Sequence, residues 1–275
     1  MNEILQKTTW RFVDQSISAN KRSPLESFAM DDTLCHLVGQ EMSDATIRTW
    51  VHHDAVVLGI QDHRLPYIEE GMATLRANGY EPIVRNSGGL AVVLDHGVLN
   101  ISIVVDEQIP LSINAAFDVM VDFIRALFPK VAHKIEAYEV VGSYCPGSYD
   151  LSIEGKKFAG ISQRRMKNGI AVQIYVCVEG SGRERAELIR EFYAAGLQAE
   201  ETKFQYPVIT PHVMASLQEL TGEMVSVQEV NERIRQQLAE WNGMLRENPL
   251  QQHETDLYTF YLERVLKRNE SMLTK

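Results

Sequence analysis

Gly142-Ser143-Tyr144-Cys145-Pro146-Gly147-Ser148-Tyr149-Asp150, followed by Lys157-Phe158-Ala159-Gly160, is the stretch on which the fold and the chemistry of this 275-residue chain turn. Pro146 cannot donate to a sheet ladder, and Gly142 and Gly147 allow backbone angles closed to other residues, so Cys145 is expected on an irregular connection between strands. Lys157 stands twelve residues beyond the cysteine, so that a thiol and an amine face one pocket. A nearby ammonium raises the thiolate fraction of a cysteine, and the thiolate is the form that attacks a carbonyl. Taken alone, the same stretch also fits a buried loop thiol.

Outward from this segment the pattern alternates. From Lys134 to Val178 it reads as strands, with Val172, Ile174 and Val176 set against Gln173, Tyr175 and Cys177. Leu111–Phe128 carries Ala116, Val119, Met120, Phe123, Ile124 and Leu127 at helical spacing and ends at Pro129. Ser23-Pro24 reads as a capped helix start, with Cys35 in the core. Thr49–Gly59 reads as a strand and Pro66–Asn78 as a helix ended by Gly79. Pro82–Val84, Leu90–Leu94 and Val98–Val105 read as three short strands in an antiparallel meander, broken by Gly88-Gly89 and Asp95-His96-Gly97. Helices are expected at Gly182–Ala195, Pro211–Leu220, Ser226–Trp241 and Glu254–Arg268, with Gln198–Gln205 a loop and Arg246–Gln252 a linker. The fold class that follows is α/β (α+β): mixed, largely antiparallel sheets flanked by helices, with a catalytic part over residues 1–195 and a helical C-terminal extension over 196–275.

Composition narrows the function. A formal charge of −10 repels phosphate backbones and argues against nucleic acid. The N-terminal residues lack an apolar signal core, no run approaches the ~18 apolar residues of a membrane span, and three cysteines without metal-type spacing suit free thiols in the cytoplasm. No metal is expected: His52 and His53 alternate across a strand, and His133, His212 and His253 have no partner pattern. Between Gly155 and Arg185, seven basic residues stand against two acids, which reads either as a docking site for a small acidic protein or as ordinary surface charge. Asp31-Asp32 read as a helix face.

Val57-Leu58-Gly59-Ile60-Gln61, Arg85-Asn86-Ser87-Gly88-Gly89-Leu90-Ala91-Val92, Gly97-Val98-Leu99-Asn100-Ile101-Ser102, Asp150 and Lys157-Phe158-Ala159-Gly160-Ile161-Ser162-Gln163-Arg164, in that order over residues 8–195, resemble the lipoate ligase and octanoyltransferase family. Within it, the Gly142–Asp150 segment and Phe28-Ala29-Met30-Asp31-Asp32-Thr33 are most similar to octanoyl amidotransferases. The resemblance implies that an octanoyl group on a lysine of the glycine cleavage H protein passes to Cys145 and then to a lysine on a lipoyl domain of a 2-oxoacid dehydrogenase. It gives Lys157 the part of thiolate and oxyanion stabiliser and proton donor, and implies substrate contacts from Arg85, Ser87, Gly88, Gly89, Asp150 and Gly160. Exchange of one lysine amide for another is near balance, so neither ATP nor another cofactor is demanded. In one respect the chain departs from the family: many relatives carry a histidine where Leu94 stands here, and His96 falls two positions late. Octanoyl transfer from acyl carrier protein, ATP-dependent lipoate ligation and a non-catalytic lipoyl-domain binder are the alternatives. The covalent sulfur disfavours the ligase, and retention of Cys145 with Lys157 disfavours the binder.

Overall fold

The alternation around Val172, Ile174 and Val176 organises the molecule. In a computed structural model these three face an apolar core, while Gln173, Tyr175 and Cys177 face the opposite side of the same sheet. The structure describes residues 3–7, 9–17, 23–85, 88–242, 245–247 and 250–273. In chain order the elements are α1 (Glu3–Lys7), β1 (Arg11–Gln15), α2 (Pro24–Gly39), β2 (Thr46–Trp50), β3 (Ala55–Leu58), α3 (Ile68–Ala77), β4 (Glu81–Val84), β5 (Val92–Leu94), β6 (Val98–Asp106), α4 (Ile113–Leu127), β7 (Ile135–Ala137), β8 (Asp150–Ile153), β9 (Lys156–Met166), β10 (Gly169–Cys177), α5 (Gly182–Leu197), α6 (Leu217–Thr221), α7 (Val227–Asn242) and α8 (Gln252–Leu273).

Seven strands form one sheet in the order β1-β2-β6-β10-β9-β8-β7, and three form a second in the order β4-β3-β5. Pairing is antiparallel except where a helix carries the chain back: β1 and β2 flank α2, β3 and β4 flank α3, and both pairs are parallel. The expected mixed, largely antiparallel architecture is therefore present. The expected meander is not. β4 and β5 both pair with β3 rather than with each other, and β6 belongs to the larger sheet. Pro82 lies in β4, which is an edge strand, where a missing N–H costs least. Thr49–Gly59 is likewise two strands in different sheets, separated by a bend at Asp54 with φ of +52°. Pro211–Leu220 divides into a 3-10 turn, Pro211–Val213, and α6, which opens on a capping box between Ser216 and Glu219. His52 and His53 fall in the bend and not on a strand; His52 Nε2 bonds the Ser27 hydroxyl at 2.9 Å, and His53 stacks on His96.

α4 covers one face of the large sheet, burying Ala116, Val119, Met120, Phe123, Ile124 and Leu127 on the strand residues, joined by Val230, Ile234 and Leu238 of α7. Apart from Ala116, each such side chain contributes about 1.5–3 kcal/mol by leaving water. On the other face lie α2 and the small sheet, the latter backed by α3 and α5. α8 packs along α2, where Tyr261 meets His36 (3.0 Å between hydroxyl and Nδ1) and Glu254 pairs with Arg11. Among the described residues no helix is long and apolar enough to cross a membrane.

α2 is held down by polar chemistry. Arg48 of β2, Ser102 of β6 and Gln173 of β10 are cross-strand neighbours in one row, and all three donate to Asp31 on α2, at 2.8, 2.9 and 2.6 Å. One turn of register away, Arg164 pairs with Asp32. The carboxylates read from sequence as a helix face are thus its anchors. Of the seven basic residues between Gly155 and Arg185, Lys157 is buried and Arg164, Arg165, Arg183 and Arg185 pair with Asp32, Glu107, Glu187 and Asp95. Lys156 and Lys167 stay exposed at opposite ends of β9, so this stretch forms no continuous basic patch.

Replacing Asp31 with Ala strands the Arg48 guanidinium, whose side chain is 1% exposed, in the interior. The variant should lose about 3–5 kcal/mol of stability in urea denaturation; a midpoint equal to that of the wild type would show that the anchor carries no energy.

Candidate active site

One cross-strand row of the large sheet forms the floor of a cavity of about 350 Å³: Trp50 opposite Asn100, Asn100 opposite Tyr175, Tyr175 opposite Gly160 and Gly160 opposite Asp150. Apolar walls come from Phe28 of α2 and from Val57, Val92 and Leu94 of the small sheet. The register is set by the β9–β10 hairpin, whose two turn residues, Lys167 and Asn168, both have positive φ (+52° and +63°), the backbone sign of a type I′ turn. Gly160 is required here by contact. A Cβ at that position would come within 2.7 Å of the Tyr175 ring, which lies across it.

The loop carrying Cys145 joins β7 to β8 and is pegged from below. Asp150 accepts from the backbone N–H of Val140 and of Gly147, both at 3.1 Å, and pairs with Lys157 Nζ at 2.9 Å. The Lys157 ammonium, fully buried, also donates to the carbonyl oxygens of Tyr144 and Cys145, each at 2.9 Å, and to the Ser143 hydroxyl at 3.3 Å. Burial is the main influence on the Asp150 carboxyl and pushes its pKa up, against the opposing pull of Lys157. Cys145 itself adopts φ of +45°, the left-handed region that a residue with a Cβ occupies only when its surroundings impose it.

The Cys145 sulfur is half-buried at the cavity edge. It accepts from the Leu90 N–H at 3.2 Å and from Arg85 Nη2 at 3.4 Å. The cation next to the sulfur is therefore Arg85, whereas Lys157 lies beneath the loop and is not among the cavity-lining residues. Arg85 also donates to Leu90 O at 2.6 Å. Gly89, at φ +104°, leaves the space this cluster fills, since a Cβ there would sit 2.1 Å from Arg85 Nη2 and 3.1 Å from the sulfur. Gly88 borders open space. Ser87, with Asn86, lies outside the described residues. Leu94 is a wall residue, and His96, stacked on His53, is not part of the lining.

Trp50, Tyr175, Asp62 and Tyr193, which carry no sequence signal of their own, complete the site together with Arg85. Three buried donors on the cavity lining have no hydrogen-bond partner among the described residues: Arg85 Nε, Trp50 Nε1 and the Tyr175 hydroxyl. Behind the lining, Asp62 accepts from the Gly59 N–H and the Tyr193 hydroxyl, both at 2.7 Å. Gly59 in turn seats the Gly89 backbone, for a Cβ on Gly59 would fall 1.9 Å from Gly89 O. The chemistry on offer is nucleophilic: a sulfur held by two donors, at the edge of an apolar-walled cavity.

Burial raises the Asp62 carboxyl pKa to about 6, above the ordinary 3.8. Because the folded state then binds the proton more tightly than the unfolded chain, the stability linked to this proton is full below pH 3.8 and is lost as pH rises through about 6. Asp62→Asn removes that titration. The stability of the wild type relative to this variant should thus fall by about 2–3 kcal/mol between pH 4 and 7, a difference measurable by urea unfolding at the two pH values; a flat difference contradicts the assignment.

Comparison with known proteins places the chain in a family. The family described as the lipoyl protein ligase A/B catalytic domain matches residues 23–239. An octanoyl-[GcvH]:protein N-octanoyltransferase of Lysinibacillus sphaericus is 64% identical over 276 residues, spanning 100% of this chain and 99% of the relative. Among solved structures, a lipoate-protein ligase A bound with ATP superposes with a TM-score of 0.68 at 18% identity over 94% of each chain. A bi-partite lipoate protein ligase from Thermoplasma acidophilum, studied with its E2 lipoyl domain, gives 0.64 at 19% identity over 94% of this chain and 93% of that one. At such identities the two structures speak to the fold alone.

Proposed function

Because the chain belongs to the lipoyl protein ligase A/B catalytic-domain family, we propose that it is an octanoyltransferase whose Cys145 carries an octanoyl group from a lysine of the glycine cleavage H protein to a lysine of the lipoyl domains of 2-oxoacid dehydrogenases. The observation that carries this reading is the Cys145 sulfur at the edge of an apolar-walled cavity, held by Leu90 N–H and Arg85.

In the first half-reaction the thiol gives up its proton and the sulfur forms a C–S bond to the amide carbonyl carbon, the π pair moving onto oxygen. As that oxyanion collapses, the C–N bond breaks and the departing lysine nitrogen leaves with the proton that the thiol released. The second half-reaction runs the same steps in reverse with a different lysine. Arg85 and the Leu90 N–H stabilise negative charge on the sulfur while it is free, and Arg85 faces the acyl head once the sulfur is bonded. Lys157 acts from beneath: its ammonium holds the Tyr144 and Cys145 carbonyls, keeps the strained loop in place and sets a positive charge one peptide unit from the reaction. Asp150 fixes that ammonium, Gly89 and Gly160 keep the cavity open, and Gly88 leaves room at its rim.

Phe28, Val57, Val92 and Leu94 provide the surface for the alkyl chain. Burying the methylenes of an octanoyl group stabilises the complex by about 0.8 kcal/mol each, and the same walls keep water from the thioester. Three free cysteines suit a cytoplasmic setting, in which the nucleophile stays reduced.

Incubation with octanoylated H protein in the absence of ATP should add one octanoyl group to Cys145, read by intact mass spectrometry. Cys145→Ala should abolish both adduct and transfer while leaving the urea midpoint within about 1 kcal/mol of the wild type, as expected for a half-buried side chain. An adduct only from octanoyl acyl carrier protein would move the assignment to a different donor. Full transfer by Cys145→Ala would remove the covalent route.

A further inference from the structure

The strand that presents Arg85 to the Cys145 sulfur is an open edge of the small sheet. β4 pairs with β3 alone, in parallel. Its Glu81 N–H donates to Asp54 O at 2.8 Å, and the N–H of Arg85, the residue after the strand, donates to Leu58 O at 3.0 Å. Backbone donors alternate in direction along a strand, so positions 82 and 84 face away from β3. Pro82 has no N–H to offer. The Val84 N–H donates to Oδ1 of Asn269, 185 residues away on α8, at 2.9 Å in the protein interior. One asparagine thus closes the outer edge of β4, immediately before the residue that holds the sulfur. Its place on α8 is conspicuous: Tyr261, Val265, Asn269 and Met272 follow helical spacing, and the other three pack in the apolar cluster of the small sheet. A buried polar residue in such a stripe is retained for the bond it makes. Near the other end of the helix, Glu254 pairs with Arg11 of β1, so α8 straps the edge of one sheet to the edge of the other.

We propose that Asn269 is a positioning residue of the acyl-transfer site: by holding the Val84 N–H it fixes the backbone from which Arg85 reaches Cys145, so that the C-terminal helix sets the reactivity of the nucleophile. This deepens the octanoyltransferase reading and rests on Cys145 as its reactive thiol. Asn269 is not among the cavity-lining residues and acts only through β4. Leu58 O ties Arg85 to β3 on one side, and Asn269 ties the preceding residue on the other. With the second tie cut, a buried N–H is left without its acceptor, and the strand edge must shift to find another. The guanidinium shifts with it. Its Nη2 bonds both Leu90 O, at 2.6 Å, and the sulfur, at 3.4 Å, and the charged contact with the sulfur is the one that favours the attacking form of the thiol.

Asn269→Leu tests the proposal, because it removes the acceptor and keeps the bulk. The full-length wild type, this variant, Arg85→Gln and the double variant are alkylated with iodoacetamide at one neutral pH, and the labelled cysteine is identified by peptide mass spectrometry. Asn269→Leu should slow alkylation of Cys145 about tenfold, and Arg85→Gln by at least as much. The double variant should be no slower than Arg85→Gln, since a residue that acts through Arg85 has nothing left to move once the guanidinium is gone. Wild-type alkylation in Asn269→Leu overturns the proposal. An equal loss in both backgrounds also overturns it, because a merely structural residue would act whether or not Arg85 is present. Cys35 and Cys177 are buried, so labelling of either reports an unfolded variant; Asn269→Ser, whose shorter side chain falls short of the Val84 N–H, then takes the place of Asn269→Leu with the same ordering expected. Octanoylation of the wild type by octanoylated H protein is measured alongside. Absence of that adduct with the alkylation pattern intact would sink the octanoyltransferase reading and leave the role of Asn269 standing, whereas an adduct with alkylation unmoved by Asn269→Leu would sink the proposal alone.

Discussion

The contact on which the rest of this structure depends is the Asp31 carboxylate, buried on α2 and shared by three adjacent strands. Arg48, Ser102 and Gln173 come from β2, β6 and β10, strands far apart in sequence, and each aims its donor at the same two oxygens. A single misregister of any strand would turn its residue to the opposite face, so the carboxylate selects one register out of several that an apolar face tolerates. A buried ion pair of this kind adds little net stability over an apolar replacement, yet breaking it is expensive. Its yield is geometric. With α2 fixed, Phe28 stands at the cavity wall and the next row of the sheet, from Trp50 to Asp150, becomes a floor instead of a packed interior.

Two cations divide the work around Cys145. Arg85 touches the sulfur, while Lys157 holds the backbone on which the sulfur is mounted, together with Ser143 and Asp150. The left-handed backbone at Cys145 costs on the order of 1–3 kcal/mol, and it persists because Lys157 and Asp150 bind the loop at five points from inside the fold. Removing the lysine therefore acts on the nucleophile through its backbone, by a route different from direct charge stabilisation. Two glycines are fixed by the same crowding: Gly89 lies against the thiol and the guanidinium, and Gly59 lies against Gly89.

Much of the fold was legible because its signals are local. The period of two in β10, the helical stripe of α4 and the Ser23-Pro24 start of α2 all stand where the pattern puts them. The meander failed because strand order is non-local. The strand–helix–strand run through β3, α3 and β4 carried the cue for a parallel pair, with Pro82 marking the edge, but three short strands in succession read more simply as neighbours. At the site, sequence brought forward Cys145, Lys157, Arg85 and the glycines, since thiols, cations and Gly-Gly pairs are conspicuous. It assigned the sulfur's neighbour to Lys157, for a spacing of twelve residues says nothing about which side of a loop an amine occupies. Tyr175 was read only as the polar half of an alternating strand; its place opposite Gly160 follows from the Lys167-Asn168 turn, and its lack of a partner appears only in three dimensions.

The cavity lining brings together three residues with buried donors that bond no described residue and a nucleophile on left-handed backbone. The left-handed backbone lowers the stability of the fold by a small number of kcal/mol, set against the extensive apolar burial under α4 and between the two sheets. Arg85 and the Leu90 N–H already hold the sulfur, so they need no reorganisation as charge develops on it. The strain at Cys145 and the position of its sulfur between these donors are on this account one property of the loop that Lys157 and Asp150 pin, and the sheet row beneath it, next to the row locked by Asp31, is what keeps that loop from relaxing.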